Sequence, residues 1–137
     1  MSYDPNNIFA KILRSELPCA KVYEDERTLA FMDIMPQKRG HTLVIPKEPA
    51  ETLLDLSPDA AADLINKVQT VAAAVKKAMQ ADGITIFQLN GAAAGQTVPH
   101  IHFHIIPGSI LEAKTHASTM ADPEELSKLA ELIAQEL

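Results

Sequence analysis

His100-Ile101-His102-Phe103-His104-Ile105-Ile106, closed by Pro107-Gly108, gathers three of the chain's five histidines into one short run. Alternation of polar and apolar residues with period two predicts a strand, here from Ile101 to Ile106. On a strand successive side chains point to opposite faces, so His100, His102 and His104 share one face while Ile101, Phe103 and Ile105 share the other. The apolar row should meet a helix. The imidazole row should open into a cleft, its members roughly 6.6 Å apart along the strand, about two residue rises.

The rest of the 137 residues supplies the partners of that strand. Ile84–Leu89 reads as the strand before it, and Asn90–Pro99 between the two is a loop rich in Gly and Ala. Ser57-Pro58 is a helix start, with serine as cap and proline in the first turn. Ala61, Leu64, Ile65, Val68, Val71, Ala72, Val75 and Met79 follow at helical spacing, and Gly83 is the expected stop. Earlier, Lys21–Tyr23, Thr28–Asp33 and His41–Ile45 read as three strands, after a short helix over Pro5–Arg14. Asp122-Pro123 repeats the cap-plus-proline signal and opens a last helix. Consecutive strands joined by short turns argue for an antiparallel sheet. The expectation is a single α+β domain over residues 1–137: a five-stranded antiparallel sheet, a long helix packed on it, and a C-terminal helix.

Composition narrows the function classes. Net charge is −6 and no Lys/Arg cluster stands out, which argues against duplex nucleic acid as a partner. The apolar runs are too short to span a bilayer, so no membrane role is expected. The one cysteine, Cys19, has no partner for an internal disulfide or a Cys-x-x-Cys zinc site. A reducing compartment, the cytoplasm, is the expected location.

Three chemistries fit the imidazole row. A chance polar face is the blandest, although an exposed strand face normally carries Thr, Lys or Glu. A metal site is the second: two histidines at i and i+2 can share a zinc ion with a third ligand, such as His41. Against it, Asn90–Pro99 and Gly108–Ser109 carry no carboxylate. Nucleophilic catalysis is the third. A neutral imidazole can attack phosphorus if its other ring nitrogen is held, while neighbouring imidazoles stabilise the oxygens and protonate the leaving group. Backbone N–H groups of Gly91–Thr97 can bind phosphate oxygens without a basic surface.

The run also resembles a known pattern. His100 to Ile106 fits His-x-His-x-His-x-x with apolar x, the signature of the histidine triad (HIT) superfamily. Asp33-Ile34-Met35-Pro36-Gln37 with Gly40-His41-Thr42-Leu43-Val44-Ile45-Pro46-Lys47 is similar to that family's segment holding the ribose and a fourth histidine. Asn90-Gly91 with Gly95-Gln96-Thr97-Val98 resembles its phosphate loop. Ile8-Phe9 with Lys11-Ile12 resembles the start that helps form the base pocket, and Lys114-Thr115-His116-Ala117 the tail of bacterial members.

The resemblance implies roles position by position. His102 is the nucleophile, His41 the histidine that contacts and supports it, and His100 and His104 orient the site and contact phosphate. Asp33 binds the ribose hydroxyls, Asn90 lies near phosphate and ribose, and Thr97 keeps a hydroxyl near the leaving group. Ile8, Phe9, Ile12 and Ile34 form the base pocket, and Gly95 and Gln96 belong to the phosphate loop. The implied protein is a Hint-like homodimer whose two sheets join. Its implied activity is the cleavage of purine nucleoside phosphoramidates through a nucleotidyl-histidine. A nucleotide sensor or scaffold with incidental hydrolysis, a dinucleoside polyphosphate hydrolase and a metallohydrolase stand as alternatives. Many bacterial relatives bind structural zinc through Cys-x-x-Cys, a further histidine and the first triad histidine. Asn7, Ala10 and Pro49 stand at the three matching positions outside the triad. No structural zinc or other cofactor is therefore expected, and packing of Ile8, Phe9 and Ile12 should hold the N-terminal helix.

Overall fold

The computed structural model describes residues 3–112 and 119–137. The tail segment Lys114 to Ala117, including His116, lies outside the described residues. Eight principal elements follow in order: α1 (Ile8–Leu13), β1 (Lys21–Glu24), β2 (Thr28–Met32), β3 (Thr42–Pro46), α2 (Pro58–Ala78), β4 (Ile84–Gln88), β5 (Phe103–Pro107) and α3 (Pro123–Ala134). The strands form one antiparallel sheet in the order β1-β2-β3-β5-β4, the expected α+β arrangement. No helix among the described residues is long and apolar enough to cross a membrane.

The helix starts follow the caps. Ser57 accepts the Ala60 N–H at the head of α2 and Asp122 accepts the Glu124 N–H at the head of α3, each with proline in the first turn. The end of α2 departs from the expected Gly83. The helix stops at Ala78, and Gln80 takes the left-handed conformation at φ 52°. Ala81 N–H reaches Lys76 O and Gln80 N–H reaches Lys77 O, the pair of bonds that closes a Schellman turn.

Period-two alternation divides the sheet's two faces. Ala30, Met32, Val44 and Ile105 point into a core built with Leu64, Val68, Val71 and Val75 of α2 and with Leu126, Leu129 and Ile133 of α3. Leu29, Phe31, Leu43 and Ile45 point the other way, into a smaller cluster closed by Phe9 of α1. Ile8, expected to help anchor α1, is 45% exposed. Phe9 and Ile12 do pack there, and the buried Asn7 adds a cap, accepting the Ala10 N–H at 2.8 Å.

Strand β5 begins two residues later than expected. Pro99 has no N–H to give to a ladder, and the chain bends over residues 98–100, where His100 N–H bonds to Val98 O at 2.9 Å. Ile101 N–H then pairs with Ala50 O, outside the sheet. His100 and His102 therefore stand on the approach to the strand, and only His104 lies within it.

Candidate active site

The smaller face of the sheet carries the polar chemistry. His104 sits opposite Leu43 on β3 and opposite Phe87 on β4. Just beyond the β2–β3 ladder, Asp33 N–H donates to His41 O, which brings these two residues side by side. Phe31, Asp33, His41, Leu43 and His104 thus converge on one side. The ring of Phe87 stacks on His104 at a centroid distance of 4.3 Å and 8° between planes. His102 lies 4.8 Å from His104, and the edge of Phe9 meets His102 at 4.9 Å.

Hydrogen bonds fix the state of His102. Its Nδ1 is 2.7 Å from the carbonyl oxygen of His100, which can only accept, so the ring proton lies on Nδ1. The Nε2 lone pair remains, and no hydrogen bond engages it among the described residues. Burial pushes the His102 pKa below the usual imidazole value, so the ring is neutral at pH 7. A neutral imidazole with one nitrogen held and the other bare is the nucleophilic form.

His41 hydrogen-bonds to His104 and interacts electrostatically with His102. Its Nε2 is 2.9 Å from His104 Nδ1 and 3.5 Å from Asp33 Oδ2. The backbone N–H of Gln37 donates to His41 Nδ1 at 3.1 Å, so in the neutral ring the proton must lie on Nε2 and point at His104. His104 then accepts at Nδ1 and carries its own proton on Nε2. Burial holds His41 down at about 4 and His104 at about 3, the latter helped by repulsion from His102 and His41. Burial pushes Asp33 the other way, to about 6, against the bond it accepts from Met35 N–H.

Asp33, His41 and His104 each offer one atom, all within 4.8 Å of one another, and such a trio can hold a metal ion. A metal on His41 Nε2 needs that nitrogen bare and the opposite one protonated. Gln37 N–H occupies the opposite nitrogen as a donor, so the local hydrogen bonding opposes that use of His41.

His100 is fully buried and both its nitrogens face protein groups. Nε2–H donates to Pro46 O at 2.8 Å, and Nδ1 accepts from the hydroxyl of Tyr3 at 2.5 Å. Both nitrogens are thus engaged within the protein, an arrangement that suits the orienting part of the role expected of His100. Tyr3 and Phe87 were not among the residues singled out in the sequence. Tyr3 sits in a polar leader with no pattern around it, and Phe87 becomes visible only once β4 is paired with β5.

The loop before the triad is held by its own side chains. Gln96 is buried; its Oε1 accepts Gly91 N–H at 2.6 Å and its Nε2 donates to Glu51 O and Val98 O. Asn90 accepts the Leu53 N–H at 2.9 Å and exchanges bonds with Gln88. The two amides, expected beside the nucleotide, are engaged in shaping the loop. Gly95, at φ 104°, sits where a side chain would be strained. Thr97 is exposed.

Ile8, Phe9, Ile12 and Ile34 line one apolar cleft of about 410 Å³, together with Phe31 and Leu43. Phe9 belongs both to this cleft and to the wall behind His102. The far side of the cleft is formed by Met120, Ala121 and Pro123 at the head of α3. An apolar slot that shares Phe9 with His102 suits a flat apolar group.

Comparison with known proteins agrees with this geometry. The HIT domain family matches residues 14–110. The chain is 40% identical over 138 residues to the protein named hit of Bacillus subtilis, covering 96% of this chain and 94% of that one. It is 39% identical over 133 residues to adenosine 5'-monophosphoramidase of Schizosaccharomyces pombe, covering 95% and 97%. The crystal structure of a Hit-like protein involved in cell-cycle regulation from Bartonella henselae superposes with a TM-score of 0.93 at 50% identity, over 100% of both chains. With a five-stranded antiparallel sheet whose strand β5 and its approach bear three histidines, and with these matches over most of its length, the chain belongs to the HIT domain family.

Proposed function

We propose that this protein is a nucleotide-binding hydrolase that removes the leaving group from phosphorus in nucleoside 5'-monophosphate derivatives, with purine nucleoside phosphoramidates as the substrate class. One observation carries the reading: His102 gives its Nδ1 proton to a backbone carbonyl and keeps Nε2 bare, its ring against Phe9 of the apolar cleft. The similarity to an adenosine 5'-monophosphoramidase supports the substrate class.

In this reading the base enters the cleft of Ile8, Phe9, Ile12 and Ile34, and Asp33 accepts from the ribose hydroxyls. His102 Nε2 bonds to phosphorus while the bond from phosphorus to the leaving amine breaks, and the amine departs with a proton passed from solvent through the exposed Thr97 hydroxyl. The positive charge that develops on the ring is shared with the His100 carbonyl through Nδ1–H. His104, oriented by His41, presents Nε2–H to a phosphate oxygen, and Thr97 offers its hydroxyl on the leaving-group side. Water then cleaves the Nε2–phosphorus bond and releases the monophosphate.

The chemistry uses no metal in this proposal, and structural zinc is absent from it too. Ala10 and Pro49 carry no ligand atom, Asn7 caps α1, and the His100 nitrogens are both engaged, so these residues do not fit the ion. We further propose a cytoplasmic homodimer. Strand β4 is an edge of the sheet with Ile86 44% exposed, which suits pairing with the same edge of a second copy.

The test is His102→Ala against a panel of adenosine phosphoramidates and dinucleotides. Loss of turnover with AMP binding retained, and an acid-labile nucleotidyl adduct on His102 in the native protein, are expected. Full activity in the variant, or activity abolished by EDTA and restored by zinc, overturns the proposal.

A further inference from the structure

We propose that Tyr3 is a positioning residue for the nucleophile, acting through His100, an inference that rests on His102 being the attacking group. The N-terminal residues form a hydrogen-bond chain of fixed direction. Asn7 Nδ2 donates to the Tyr3 hydroxyl at 2.8 Å. That oxygen has one proton of its own, and at 2.5 Å from His100 Nδ1 it donates there. His100 must accept at Nδ1, because its ring proton faces the Pro46 carbonyl at 2.8 Å. The carbonyl of His100 in turn accepts the His102 Nδ1–H at 2.7 Å. Reversing any one of these bonds would set two donors or two acceptors face to face.

Each member has a reason to stay in place. Asn7 is buried and its other amide atom, Oδ1, caps α1 by accepting from Ala10 N–H. His100 is fully buried, so a vacancy at Nδ1 would leave an unpaired polar atom where water is scarce. The ring of Tyr3 meets that of His100 edge-on at 5.6 Å, and Phe9 of the following helix meets both His100 and His102. The strap from Tyr3 to α1 thus fixes one residue, His100, whose carbonyl selects the tautomer of His102. The same strap supplies Ile8, Phe9 and Ile12 to the apolar cleft. Residues far apart in sequence therefore set base pocket and nucleophile with one hydrogen-bonded unit.

The experiment pairs two variants with two readouts. Tyr3→Phe deletes the hydroxyl and keeps the ring. Asn7→Asp keeps the Oδ1 cap on Ala10 but turns the donor to Tyr3 into an acceptor, drawing the tyrosine proton away from His100. On the resting protein, nitrogen-15 NMR should show His102 as a single Nδ1–H tautomer in the native chain and as a mixture in both variants. With an adenosine phosphoramidate, kcat should fall about 10- to 100-fold in both, with KM within about twofold, because positioning of the attacking group is lost while the cleft persists. An unchanged tautomer, or an unchanged kcat in folded variants, overturns the proposal. A lower melting temperature alone would make Tyr3 merely structural and overturns it too. The NMR arm needs no substrate, so it separates failure of this inference from failure of the hydrolytic reading, which His102→Ala decides.

Discussion

His41 and His104 share one proton-ordered hydrogen bond: His41 Nε2 lies 2.9 Å from His104 Nδ1, and the Gln37 N–H at the back of His41 sets which of them donates. This arrangement makes His104 a donor at the nitrogen that faces the site. It also separates the four histidines into two pairs, His41 with His104 and His100 with His102, each closed by a backbone group.

Removing the donor in the first pair should therefore damage chemistry more than binding. His41→Phe fills the volume but leaves His104 Nδ1 without a partner. Turnover of an adenosine phosphoramidate should fall about 10²-fold, the lower range for a positioned proton donor, with AMP affinity little changed. His41→Gln, whose amide can still donate to His104, should recover part of that loss. Steady-state kinetics and calorimetry on both variants check this; equal activity of His41→Phe and the native protein contradicts it.

The pH dependence follows from burial of His102. An unshifted imidazole would lose its nucleophilic form below about pH 6.5. Burial lowers the His102 pKa, so the bare Nε2 persists below that point. The acid limb of kcat/KM should lie clearly under pH 6.5, and a profile that falls through 6.5 or above contradicts the structure.

The sequence was legible where a side-chain pattern and a backbone rule agreed. The strand alternation gave the two faces of the sheet, and Ser57-Pro58 and Asp122-Pro123 gave two helix starts. The three triad imidazoles were legible as one cluster, but not their division of labour. That division depends on main-chain atoms: the carbonyls of His100 and Pro46 and the N–H of Gln37, none of which has a residue signature. Strand β5 starts late because the Ile101 N–H pairs with Ala50 O outside the sheet, again a main-chain contact that no residue type announces. Gln96 and Asn90 lie in the phosphate-loop segment by spacing, yet their amides bond to Glu51 and Leu53, contacts that only the tertiary fold creates.

Asp33 and the buried histidines push stability in opposite directions with pH. Asp33 has a folded value of about 6, above its unfolded value of 3.8. The unfolded chain ionises first, so stability is lost as pH rises through that window. His41 and His100 have folded values of about 4, below 6.5. There the unfolded chain takes up protons first, so stability is lost as pH falls from about 6.5 to 4. Asp33→Asn keeps the Oδ1 acceptor for Met35 N–H and removes the buried charge. It should raise stability at pH 7.5 by about 1–3 kcal/mol, leave it nearly unchanged below pH 3.8, and weaken nucleotide binding. Thermal melts at the two pH values decide; no gain at pH 7.5 contradicts the raised carboxyl.

Gln80 gives a test that is independent of the active site. It ends α2 in the left-handed region at φ 52°, where a side chain crowds the backbone, while the glycine that the sequence offers, Gly83, lies three residues too late to close the turn. The Schellman bonds from Gln80 and Ala81 come from the backbone and survive any side-chain change. Gln80→Gly should therefore relieve the crowding and keep the turn, raising stability by about 0.5–1 kcal/mol even after the extra freedom glycine gives the unfolded chain. Gln80→Val, branched at Cβ, should lower it by a similar amount or more. Urea unfolding of the two variants, with unchanged m-values, reads this directly. A glycine variant less stable than the native chain would mean that the glutamine side chain itself holds the end of the helix.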